Sequence, residues 1–184
     1  METQTALLLI DIQNDYFKDG ANPLVGSWEA SLNAKKMLNY FRDTTLPVVH
    51  IQHISARPGS TFFLPGTSGA DIHENVQPER NEKVIIKHFP NSFHGTSLHA
   101  CLTEYSITNL VICGMMTHMC VDSTVRAAKD HGFNCTLISD ACATRNLEIR
   151  GEIVKAVDVH NSFLAALNYF YASVKTTDEF LDGR

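Results

Sequence analysis

Apolar positions along this chain fall into short, unbroken runs separated by longer amphipathic stretches. Thr5–Ile12 reads TALLLIDI, an apolar run of strand length with an acid near its end. Pro47–Gln52 (PVVHIQ), Lys83–Lys87 (KVIIK), Thr108–Gly114 (TNLVICG) and Asn134–Ser139 (NCTLIS) read as four more strands, and Ser173–Thr176 as a sixth. Between them, Ser27–Asp43 carries Trp28, Leu32, Met37, Leu38 and Phe41 at roughly helical spacing. Ser97–Tyr105 suggests a second helix. Cys120–His131 suggests a third that stops at Gly132, a residue suited to helix C-termini. Glu148–Phe170 reads as one long amphipathic fourth helix.

Wholly apolar strands alternating with helices are what a parallel sheet covered on both faces requires. The expected fold is therefore α/β, with three layers in a single domain over 1–184. The segment from His53 to Glu82 breaks the pattern: it holds Pro58, Gly59, Pro65, Gly66, Gly69 and Pro78 around Phe62 and Phe63. So long a connection is uncommon in a compact domain. It reads equally as a lid over a site or as packing at a sheet edge or subunit interface.

Composition narrows the function. A net charge of −5, with 15 basic residues and no basic run, speaks against nucleic acid as a partner. No stretch approaches the roughly 18 apolar residues of a membrane helix, and the opening METQTALLLIDIQ does not resemble a signal peptide. The five cysteines form no CxxC pair, so reduced thiols in the cytoplasm are the expectation.

Ligands of open parallel sheets bind outside the carboxyl ends of the strands. The reactive side chains expected there are Asp11, Lys87, the segment GMMTHMC ending at Cys120, and Asp140. Cys120 falls at the expected first turn of a helix, where backbone amides and the macrodipole favour a thiolate. Cys113 and Cys135 lie within strands and Cys101 within a helix, which makes them packing residues. Cys142, expected in a nearby loop, is the rival thiol. Asp11 ends an apolar run, where a carboxylate is costly unless paired; it is either a loop cap or a functional acid. Position alone does not choose.

Three long segments do. LLLIDIQNDYF, EKVIIKHFPNSFHGTSL and NLVICGMMTHMCVDSTVRAAKDHGF, followed by TLISDACATR, resemble in order and spacing the isochorismatase-like cysteine hydrolase family. That family includes nicotinamidases and N-carbamoylsarcosine amidohydrolases. The resemblance implies a Rossmann-like fold with a six-stranded parallel sheet and a catalytic triad of Asp11, Lys87 and Cys120. It also implies a cis peptide between Met115 and Met116, and an oxyanion hole built from the Met116 and Cys120 amides. The implied reaction is hydrolysis of a small amide or carbamoyl C–N bond through a thioester. Asp11 takes the thiol proton, protonates the departing amine and then activates water.

The chain departs from the family in one place. Nicotinamidases carry a metal-binding Asp-x-His after the second strand, where this chain reads HIQHISARPG. His50 and His53 are three apart, which puts them on opposite faces of a strand, and His73 is the only other histidine in the loop. No metal or other cofactor is therefore expected. Tyr16, Phe62, Phe63, Phe93 and His118 are candidate pocket residues, and His160 reads as structural. Competing readings are an isochorismate-type ether hydrolase acting through Asp11, and a small-molecule binding protein on the same fold. The family also implies a homodimer or homotetramer.

Overall fold

The computed structural model describes residues 4–183. Its elements run β1 (Gln4–Ile10), α1 (Ser27–Asp43), β2 (Val48–His53), β3 (Lys83–Lys87), α2 (Leu98–Glu104), β4 (Ile107–Met115), α3 (Asp122–Asp130) and β5 (Asn134–Ala143). They continue through β6 (Leu147–Ile149), β7 (Glu152–Val154), α4 (Ala156–Phe170), β8 (Ser173–Lys175) and α5 (Thr177–Asp182).

Six strands form one sheet in the order β3-β2-β1-β4-β5-β8, and every adjacent pair is parallel. The central strand β1 shows why its sequence is apolar without interruption. Leu7 and Leu9 enter one core with Ala30, Ala34, Met37, Leu38 and Phe41 of α1 and Phe180 of α5. Ala6, Leu8 and Ile10 enter the other, with Leu98 and Leu102 of α2, Val125 of α3, and Leu164 and Leu167 of α4. A strand buried on both faces has no polar positions to alternate with.

The chain builds outward from β1 to β2 and β3, then returns to place β4 on the other side of β1. Strand order therefore reverses between β1 and β4, which opens a crevice at their carboxyl ends. Gly114 lets the two strands close there. A Cβ at this position would lie 2.3 Å from the Ile10 carbonyl oxygen, and the residue has a φ of +149°.

Two expectations need correction. The long helix over 148–170 is instead the hairpin β6–β7 followed by α4. Arg150 and Gly151 both have positive φ, 55° and 81°, the backbone of a tight two-residue hairpin turn. Strand β5 also runs on to Ala143, so Asp140 and Cys142 lie within it. Asp140 Oδ1 accepts hydrogen bonds from the Thr177 amide and hydroxyl, both at 2.8 Å. Cys142 is buried opposite Gly114 in the sheet and is not a loop thiol.

Helix α5 has no counterpart in the hydrophobic pattern. It is six residues long and starts with a capping box, in which Thr176 and Glu179 satisfy each other's amides. No helix among the described residues is long and apolar enough to cross a membrane.

Candidate active site

The crevice gathers three groups that the sequence scatters. Asp11 follows β1, Lys87 ends β3, and Cys120 lies in the π-helical turn Thr117–Val121 that joins β4 to α3. Asp11 adopts a φ of 51°, in the left-handed region that Asp tolerates better than most residues. Its amide donates to the Ile51 carbonyl at 3.1 Å, which ties the turn to β2.

The Lys87 ammonium lies 2.8 Å from Asp11 Oδ2 and donates to the Pro90 carbonyl, also at 2.8 Å. The Asp11 contact is one of charge with charge: neither carboxylate oxygen has a directed hydrogen bond among the described residues. Ligand atoms of Asp11, His53 and Cys120 all lie within 4.8 Å of one another. Asp11 and Lys87 are fully buried, and Cys120 is 4% exposed. The Met115–Met116 peptide is cis.

Burial sets the protonation states. Burial alone would favour a neutral Lys87 amine, but the Asp11 carboxylate and the Cys120 sulfur outweigh it and raise the Lys87 pKa. For Cys120, burial and then the Asp11 charge push the thiol well above its ordinary value, and Lys87 does not compensate. The expectation of a helix-stabilised thiolate therefore fails. Cys120 does lie in a helical turn that runs on into α3, but desolvation of the sulfur is the dominant influence. Cys120 rests as a thiol beside a carboxylate, an arrangement that needs an adjacent base to release the nucleophile.

An aromatic wall stands next to this group. Tyr16 is buried, and its ring centroid lies 4.6 Å from Phe63 and 5.9 Å from Phe62. Burial first, then the charges of Cys120 and Asp11, hold the Tyr16 hydroxyl well above its usual pKa, so it stays neutral. The Phe63 ring also lies 5.8 Å from His53. The segment 53–82 is thus neither structureless nor detached: it holds two 3-10 turns, and its Phe pair packs against Tyr16.

Two buried side chains that the sequence reading passed over fix it in place. Asp15 accepts from the Phe63 amide at 2.6 Å and the Ala21 amide at 3.1 Å. Gln13 accepts from the His53 amide at 2.7 Å and donates to the carbonyls of His53 and Ala70. Both residues belong to the opening segment IDIQNDYF, where polar residues follow directly on a buried strand. That was the signal available.

The remaining candidates separate. His118 Nδ1 pairs with Thr144 Oγ1 at 2.5 Å, and burial lowers its pKa. Phe93 packs elsewhere: its ring stacks on Phe133 and lies tilted against His131, where α3 ends and β5 begins. His160 pairs with Thr117 Oγ1 at 2.9 Å, beneath the π-turn.

The three loop and strand histidines are held apart. His50 pairs with Glu82 at 2.9 Å, His53 lies 4.0 Å from Asp11, and His73 stacks on Phe17 with centroids 3.6 Å apart. They do not converge on a common point.

Comparison with known proteins agrees with this architecture. Residues 5–179 match the isochorismatase domain model. The chain is 52% identical over 177 residues to the isochorismatase family protein YddQ of Bacillus subtilis, covering 96% of this chain and 98% of that protein. It is 32% identical over 168 residues to a streptothricin hydrolase of Streptomyces noursei, covering 88% of this chain and 63% of the relative. A crystal structure described as a putative isochorismatase hydrolase, from Oleispira antarctica, superposes with a TM-score of 0.95 at 47% identity, covering 100% of this chain and 98% of that one. The fold is that of the isochorismatase-like hydrolases. The chain belongs to the isochorismatase family, whose members are hydrolases.

Proposed function

We propose that the protein is a cysteine hydrolase that cleaves a small amide or carbamoyl C–N bond. The observation that carries this reading is the convergence of Cys120, Asp11 and Lys87 in a water-poor crevice. A binding module has no use for a buried carboxylate paired with a buried ammonium beside a thiol, because such burial costs stability.

In this reading Asp11 accepts the Cys120 proton as sulfur attacks the substrate carbonyl, and Lys87 holds the carboxylate in place and balances its charge. The Met116 and Cys120 amides receive the developing oxyanion, each such donor being worth about 3–4 kcal/mol of barrier. The proton on Asp11 passes to the departing nitrogen, which leaves as ammonia or an amine, and Cys120 carries the acyl group as a thioester. Water then releases the acid. Tyr16, Phe62 and Phe63 form the wall against which a small or planar substrate rests. The streptothricin hydrolase relative is compatible with hydrolytic chemistry on this fold.

The test is ammonia release across a panel of small primary amides and carbamoyl compounds, with Cys120→Ala run in parallel. Release by the natural protein, lost in the variant, supports the reading. Release that survives the substitution removes Cys120 as nucleophile. The family also points to a homodimer or homotetramer. Light scattering on the purified protein tests this.

A further inference from the structure

One titratable side chain in the crevice has no part in the reaction as written. His53 ends β2, and its Nδ1 lies 4.0 Å from Asp11 Oδ2. It belongs with Asp11 and Cys120 to the cluster whose ligand atoms fall within 4.8 Å. Its backbone amide and carbonyl are both held by the buried Gln13 side chain, which anchors the end of β2 beside Asp11.

His53 also differs from its neighbours in access. Asp11 and Lys87 are closed to solvent, whereas the His53 side chain is 16% exposed. Of the two groups, His53 is the one that solvent touches. Asp11 by then has an acyl-sulfur on one side and Lys87 on the other.

We propose that His53 is a catalytic residue of the second half-reaction, the group that accepts a proton from the hydrolytic water. The inference rests on the thioester reading above. The water oxygen bonds to the thioester carbon while its proton passes to the unprotonated imidazole nitrogen. The C–S bond breaks and its electron pair stays on Sγ. The imidazolium then returns the proton to the thiolate by way of Asp11, restoring thiol, neutral imidazole and carboxylate.

The surroundings suit this role. Burial lowers the His53 pKa, and Lys87 at the end of β3 and His88 just after it act in the same direction. The Asp11 charge opposes them without prevailing. The ring is therefore neutral at neutral pH and able to accept a proton.

The experiment uses p-nitrophenyl acetate, which loads a nucleophilic thiol with an acetyl group whatever the natural substrate. The natural protein should give a burst of p-nitrophenolate of about one per chain, followed by slower turnover. In His53→Gln the burst should persist at a similar rate, while steady turnover falls by about 10²-fold. Intact-mass analysis of that variant should show acetyl-Cys120 accumulating.

If the natural protein shows no burst and no acetyl-Cys120, the nucleophile assignment fails, and this proposal fails with it. If the natural protein acetylates but His53→Gln deacetylates at the natural rate, or loses burst and turnover alike, His53 is not the water's proton acceptor and only the present inference is overturned. Deacetylation of the natural acetyl-enzyme gives a second readout that needs no variant. Its rate should fall with acid along a single ionisation below about pH 6.5, and a flat profile from about pH 5 to 8 overturns the assignment.

Discussion

Replacing Lys87 by Met exposes the logic of the site most sharply. The two side chains are similar in length, so the change chiefly removes a charge. Lys87 Nζ stands 2.8 Å from Asp11 Oδ2 and 2.8 Å from the Pro90 carbonyl, and neither member of the ion pair reaches solvent. Deleting one partner of such a buried pair leaves an uncompensated charge and costs about 3–5 kcal/mol. The Pro90 carbonyl, left without its donor, adds about 1 kcal/mol. The stranded carboxylate can relieve the cost by taking up a proton, but it then ceases to be a base, and activity should fall by about 10²–10⁴-fold.

The companion variant is Asp11→Asn/Lys87→Met, in which no buried charge remains. It should regain most of the lost stability and none of the activity, because a neutral pair of similar volume can match a buried ion pair. Guanidinium unfolding of the two single variants and the double variant gives the coupling energy from a double-mutant cycle. Singles that sum to the double would show that the two groups do not interact, which would refute the electrostatic account of the crevice.

Three further outcomes follow from the structure. Glu82 accepts from Arg42 Nε and Nη2, the Glu79 amide and His50, and these bonds outweigh its burial to hold its carboxyl at about 2. Its folded pKa lies below its unfolded one, so its contribution to stability is present above about pH 4.5 and lost as pH falls towards 2; Glu82→Gln should flatten that part of an acid-unfolding profile and cost about 2 kcal/mol at pH 7. Gly114→Ala forces a Cβ to 2.3 Å from the Ile10 carbonyl and should cost about 3 kcal/mol or prevent folding, as read by thermal unfolding. Asp15→Ala frees the Phe63 amide and should raise KM more than it lowers kcat, because the aromatic wall loosens while Cys120, Asp11 and Lys87 stay in place.

The sheet was legible because both of its faces are buried: runs such as ALLLI and LVIC have only one comfortable environment. The hairpin was not, because Leu147, Ile149, Ile153, Val154 and Val157 also fit an amphipathic helical stripe, and only the Arg150–Gly151 turn excludes it. Helix α5 escaped because a six-residue helix is specified by its cap and not by periodicity.

The site was legible as far as strand ends and motifs reach. Asp11, Lys87 and Cys120 were placed by both. The protonation state of Cys120 was not, since it depends on how much solvent the folded chain removes from one sulfur atom. His53 was weighed only as a metal ligand because its significance lies in its distances to Asp11 and Cys120, residues 42 and 67 positions away in the chain. Phe93 looked like a pocket aromatic beside the lysine segment, but its ring turns to Phe133 and His131.

The central claim is that Cys120 carries the substrate's acyl group during turnover. Any amide or carbamoyl compound found to release ammonia can be mixed with the protein, quenched in acid at steady state and subjected to intact and peptide mass spectrometry. The account predicts an acyl increment confined to the peptide bearing Cys120, absent from Cys120→Ala, which also releases no ammonia. Turnover by Cys120→Ala at the natural rate, with no increment on the natural protein, would contradict it.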